Sequence, residues 1–170
     1  VLGATSVIAK SAEDSKPKNV AAGSIGEPMV ISTWNFGVRA NKKAIEVLNA
    51  GGTALDAVQQ GVMVVESDPT VTSVGYGGLP NAAGVVQLDA SIMNGNDLEC
   101  GAVAGLSGFE NPVSVARKVM DDTPHVLIVG SGARQFALSK GCQERDLLTE
   151  RSRAAWQEWR LKQKKKERKE

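Results

Sequence analysis

Apolar residues recur along the chain with two periods, and the switches between them lay out its elements. Residues 28–32 form a short apolar run with β-branched members and read as a first strand. Its extension, Thr33-Trp34-Asn35-Phe36, sets Trp34 and Phe36 on one face. From Ala40 the period becomes helical: Ala40, Ala44, Val47 and Leu48 share a face, and Gly51-Gly52 stops it. Thr53 opens a second helix, with Asp56 three residues on in the capping-box position. Leu55, Val58, Val62 and Val65 are its apolar face, and Asp68-Pro69 ends it, because the residue before proline avoids helical backbone. Residues 71–78 read as turn.

Residues 85–93 alternate. Val85, Gln87, Asp89 and Ser91 fall on one side, Val86, Leu88, Ala90 and Ile92 on the other. Asn94-Gly95 is a type I′ hairpin signal, with a return strand over residues 97–106. Asn111 should cap a helix that has Pro112 at its first position. Val113, Ala116, Val119 and Met120 line one face of that helix, and Pro124 breaks it. A buried strand over 126–129, a short helix over 133–139 and a last helix from Leu148-Thr149, carrying Trp156 and Trp159, complete the order. The hairpin argues against an all-parallel doubly wound sheet. The pattern is that of an α+β chain: helices packed on a mostly antiparallel sheet.

The chain has 170 residues, 42% of them hydrophobic, enough for one domain with a core. Its net charge of +1 gives no global case for nucleic acid or an anionic membrane surface. No apolar run is long enough for a membrane-spanning helix. Residues 1–27 read as a disordered leader, and Val7-Ile8-Ala9 has the small-residue character of an export-signal remnant, which points to a periplasmic or secreted protein. Residues 161–170 are nearly all charged and read as a solvated linker. Cys100 and Cys142 are read as small buried apolar groups, with a single disulfide as the alternative. No His/Cys cluster exists to hold zinc.

Trp34 and Phe36 at a strand end either wall a pocket and stack on a sugar ring or simply pack in the core. Ser73-Val-Gly75-Tyr-Gly77-Gly78 either turns backbone N–H groups inward around an anion or makes a tight connection, and residue type favours the second. Gly130-Ser-Gly132 after an apolar strand begins like a dinucleotide fingerprint, but Gln135 stands where Gly or Ala is needed. His125, the only histidine, reads as structural. Asp89 reads as a hydrogen-bonded carboxylate whose partner is not legible. No nucleophile, base and orienting group assemble from these residues.

Several stretches taken together resemble the alpha subunit of glycosylasparaginases, which are N-terminal-nucleophile (Ntn) amidohydrolases. They are Ile31-Ser-Thr-Trp-Asn-Phe36, Ala50-Gly-Gly-Thr-Ala-Leu-Asp-Ala-Val58, Ser73-Val-Gly-Tyr-Gly-Gly78, Leu88-Asp-Ala-Ser-Ile-Met93, Asn111-Pro-Val-Ser-Val-Ala-Arg-Lys-Val119 and Thr123-Pro-His-Val-Leu-Ile-Val-Gly130. The second and third are shared with plant-type asparaginases and isoaspartyl peptidases, but the Ser-Thr-Trp-Asn-Phe opening favours the glycosylasparaginase branch.

The resemblance implies a four-layer α-β-β-α sandwich, with residues 28–160 as the alpha-subunit part and residues 161–170 as a linker before the autoproteolytic site. A threonine freed on a partner beta chain would attack the side-chain amide of a glycosylated asparagine, its own α-amino group serving as base. Trp34 and Phe36 would bind substrate, and Ser73 would support the active site. No catalytic residue, metal or cofactor is implied on this chain, and the assembly would be a dimer of alpha-beta heterodimers. In that family the cut follows an aspartate, and Glu170 is not that residue. The location implied is exported, or lysosomal in a eukaryote. The alternatives are the alpha subunit of an L-asparaginase or isoaspartyl peptidase, and an inactive binding fragment.

Overall fold

The computed structural model describes residues 27–167. Except for Glu27, the expected leader lies outside the described residues, as do the last three residues of the charged tail. The described chain is a mixed α/β unit of five helices and a small three-stranded sheet. In order the elements are α1 (Gly37–Asn49), α2 (Ala54–Glu66), β1 (Leu88–Met93), β2 (Cys100–Leu106), α3 (Pro112–Asp122), β3 (Leu127–Val129), α4 (Gly130–Ser139) and α5 (Glu150–Glu167).

Helices α1 and α2 form a hairpin turned at Gly51, whose φ of 87° is left-handed. They pack closely because Gly61 has no side chain: a Cβ there would lie 2.7 Å from the Ala40 carbonyl oxygen. The capping box forms as its spacing predicts. The Asp56 N–H donates to Thr53 Oγ1 at 3.1 Å, and the Thr53 N–H donates to Asp56 Oδ2 at 3.3 Å.

The sheet order is β1-β2-β3. β1 and β2 are antiparallel, whereas β3 returns through α3 to lie parallel to β2. The sheet is therefore mixed rather than mostly antiparallel. α3 covers one face, with Ile92, Val103, Leu106, Val113, Ala116 and Val119 in the core. Gly101 permits this closeness, since a Cβ there would stand 2.2 Å from the Ala116 carbonyl oxygen. The alternation over residues 85–92 is borne out, with Val86, Leu88 and Ile92 buried and Val85, Gln87, Asp89 and Ser91 exposed. The opposite face of the sheet is bare: Leu127 is 53% exposed and Val129 56%.

Four further expectations need correction. Residues 28–32 form no strand, because no described strand offers them a ladder. They are instead pinned by Asn41, which donates to the Val30 carbonyl and accepts from the Ser32 hydroxyl. The hairpin closes through residues 94–99, not through a two-residue turn. The Asn94 side chain accepts from the Asn96 N–H and donates to Asp97, and Leu98 takes the left-handed backbone at φ 65°. The strand expected to be buried over 126–129 is β3, covered on one side only. The charged tail continues α5 as helix to Glu167, with exposed side chains.

Candidate functional site

The ends of α2 and α3 exchange caps. Asn111, expected to cap α3, leaves its own helix uncapped and donates to the Met63 carbonyl and to Ser67 Oγ at the C-terminal end of α2. Glu66, the last residue of α2, in return accepts the Val113 N–H in the first turn of α3, at 3.2 Å. Only 3% of Glu66 is exposed, and Oε2 has no partner among the described residues. Burial is the chief cause that raises its pKa to about 7, the nearby Glu110 adding to it. The Val113 N–H and Asn111 oppose the rise.

The loop after α2 is held on all sides. Thr70 donates to Asp68 through both its N–H and its hydroxyl, and Arg39 of α1 pairs with the same carboxylate. These bonds, those of Thr70 first, hold Asp68 down at about 2. The N–H groups of Tyr76, Gly77 and Leu79 go to the carbonyls of Glu66, Leu147 and Thr72. The Arg145 guanidinium lies 3.7 Å over the Tyr76 ring. Residues 73–78 are therefore a tight connection, with these N–H groups spent inside the protein. Gly75, at φ 57°, lies directly on the Glu66 backbone.

A cavity of about 210 Å³ lies between the start of α1, the end of α2 and this loop, lined among others by Trp34, Phe36, Ala40, Val65, Glu66 and Val74. Trp34 and Phe36 sit in the turn that opens α1. Their rings stack with centroids 6.2 Å apart and planes inclined by 16°. Trp34 remains 68% exposed. Ser73 is exposed on the loop, next to the cavity-lining Val74. Ser32 and Thr33 bring hydroxyls to the rim, but Ser32 is engaged with Asn41 rather than with a base. The cavity can thus hold a flat or ring-shaped apolar surface, while nothing in its lining pairs a nucleophile with a base.

The other candidates fall elsewhere. His125 is exposed, its backbone N–H bound to Thr123 Oγ1. Cys100 and Cys142 are free and half-buried. Gly130 opens α4 in left-handed backbone, at φ 55°. Among the described residues no group of His, Cys, Asp and Glu could hold a metal ion, and no helix is long and apolar enough to cross a membrane. Glu66 was missed by sequence reasoning. The signal available was a carboxylate in the last turn of a helix, where the dipole disfavours it.

This mixed α/β chain, with an aromatic-mouthed cavity at the head of an α-helical hairpin, belongs to the asparaginase family, whose model matches residues 22–170. It is 52% identical over 147 residues to the N(4)-(beta-N-acetylglucosaminyl)-L-asparaginase of Elizabethkingia miricola, a match covering 86% of this chain and 42% of that protein. The rat protein of the same name is 43% identical over 132 residues, covering 78% of this chain and 38% of the relative. A plant-type L-asparaginase of Pyrococcus abyssi is 50% identical over 111 residues, covering 65% and 36%. The chain spans about two fifths of the length of the curated relatives it matches.

Proposed function

We propose that this chain is the alpha part of an autoprocessed amidohydrolase that cleaves the side-chain amide linking asparagine to N-acetylglucosamine, between the carbonyl carbon and the nitrogen that carries the sugar. The observation that carries the reading is the exposed Trp34 indole stacked on Phe36 at the mouth of an apolar cavity, since an indole face suits a sugar ring. The names of the bacterial and rat relatives support the same substrate.

In this reading the nucleophile is a threonine at the start of a partner beta chain cut from the same precursor. Its hydroxyl adds to the amide carbonyl, the amino sugar leaves, and water releases aspartate from the ester. Ser73 supports the geometry from the loop after α2. The partner supplies the second sheet of a four-layer α-β-β-α sandwich, packing on the bare face that carries Leu127 and Val129. Residues 28–32, strand-like in sequence but without a ladder, take their pairing from it. Two such pairs form the working assembly, and the precursor is exported.

A second reading, an L-asparaginase or isoaspartyl peptidase, is supported by the Pyrococcus relative. Purified full-length parent protein decides between them. Mass spectrometry should find a chain beginning with threonine. Hydrolysis of N-acetylglucosaminyl-asparagine should exceed that of asparagine and β-aspartyl dipeptides. Faster dipeptide hydrolysis moves the assignment to the second reading, and an uncut, inactive protein removes both.

A further inference from the structure

We propose that Glu66 is a positioning residue for this site: by capping α3, its carboxyl fixes the end of α2 and the 73–78 turn against the Trp34–Phe36 cavity. The inference rests on the amidohydrolase reading above and concerns a residue outside its reacting groups.

Glu66 joins three parts of the site. Its carboxyl accepts the Val113 N–H at 3.2 Å, tying α2 to the first turn of α3. Its backbone carbonyl accepts the Tyr76 N–H at 2.7 Å, in the turn that begins at Ser73. The turn fits so closely there that a Cβ on Gly75 would lie 1.9 Å from that carbonyl oxygen. Glu66 also lines the cavity alongside Trp34 and Phe36. No rearrangement of its side chain can leave all three unaffected.

A carboxyl in this place also calls for an explanation. The C-terminal end of a helix repels negative charge, and burial adds a desolvation cost. The N-terminal end of α3 offsets these costs in part, since its free N–H groups and dipole favour an acidic oxygen. An apolar residue would fill the volume without these costs but would leave the Val113 N–H unpaired. The carboxyl thus fixes where α2 ends relative to α3, and with it one wall of the cavity. An error of about 1 Å in such a wall can cost on the order of a hundredfold in turnover.

The test compares Glu66→Gln and Glu66→Asp in the mature, full-length parent protein. Gln keeps the reach and an accepting oxygen but loses the charge, whereas Asp keeps the charge and falls short of Val113. The measurements are KM and kcat on N-acetylglucosaminyl-asparagine, and the fluorine resonance of fluorotryptophan at Trp34, assigned by its absence in Trp34→Phe. E66Q should keep KM within about twofold of wild type and leave the resonance in place. E66D should raise KM about tenfold, change kcat less, and shift the resonance, as expected for a displaced cavity wall. An E66D protein with wild-type KM and resonance, or an E66Q protein as impaired as E66D, overturns the proposal. If the wild-type protein turns over no substrate, the functional reading is what fails, and the Trp34 resonance alone then decides the positioning role.

Discussion

Asp89 and Gly105 meet at the irregular step of the β1–β2 ladder, where the Asp89 carboxylate accepts the Gly105 N–H at 2.7 Å. The register shifts between Leu88 and Ala90, and Gly105 sits opposite in left-handed backbone at φ 60°. The carboxylate therefore satisfies an N–H that the bulge takes out of the ladder. Asp89→Ala should lower stability by about 1 kcal/mol through that lost bond. Gly105→Ala should cost a similar amount, about 1 kcal/mol, through backbone strain alone. Urea unfolding of the mature protein checks both values, and a neutral result for Asp89→Ala removes the bond from the account of the bulge.

Glu66 makes stability depend on pH across neutrality. With its pKa raised from 4.5 to about 7 by burial, the native state holds this proton more tightly than the unfolded chain does. Its contribution is complete below about pH 4.5 and is lost as pH rises through about 7. The full span corresponds to roughly 3 kcal/mol. Glu66→Gln, which cannot ionise, should flatten the fall in unfolding free energy from about pH 4.5 to about pH 7, where the two states differ in this proton. An unchanged slope in the variant assigns the dependence to other groups.

Gly75 tolerates no side chain. At φ 57°, and with a Cβ placed 1.9 Å from the Glu66 carbonyl oxygen, Gly75→Ala must push apart the loop and the end of α2. A loss of about 4 kcal/mol or more is expected, in the class of severe steric substitutions. Gly95→Ala is the control, since a Cβ there meets nothing within 4 Å and its backbone is not left-handed. Thermal melts of the pair should differ by more than 10 °C, about what such a difference implies for a domain of this size.

Trp34→Ala should leave the melting temperature close to wild type, because the side chain is already 68% exposed. It should raise KM for the glycosylated substrate by about tenfold, the order expected from losing one aromatic stacking contact. Its effect on unglycosylated asparagine should be smaller. Equal losses on both substrates detach Trp34 from the sugar.

Local signals in the sequence translated well where the elements are self-sufficient. Thr53 and Asp56 carry their capping box in four consecutive residues, and the 85–92 alternation needs only one covered face to be obeyed. The failures lie where a residue depends on distant atoms. Residues 28–32 have the composition of a strand, but a strand requires a neighbour. Asn111 has the type and position of an N-cap, yet the end of α2 claims its side chain, and Glu66 fills the vacated role from 47 residues away. Asn94-Gly95 signalled the right hairpin and the wrong turn, because the Asn94 side chain binds both the Asn96 N–H and Asp97 and so closes a wider loop. Of the cavity, Trp34 and Phe36 were legible as aromatics and Val74 as part of a glycine turn. Their convergence was not, because it depends on the α1–α2 hairpin closing at Gly61.

Helix α5 is seated through its first two turns: Ser152 is fully buried, Arg151 donates to the Thr70 carbonyl, and Trp156 donates to the Ala82 carbonyl and covers Gly84. Beyond Arg160 it has only exposed side chains and the Glu158–Lys162 pair, at 2.7 Å, to steady it. Its amides should therefore exchange with solvent deuterium through fraying of the last turns, while those of α3 wait for the whole core to open. The second half of α5 thus opens at little cost, while its first half is clasped to the body by a buried hydroxyl and an indole.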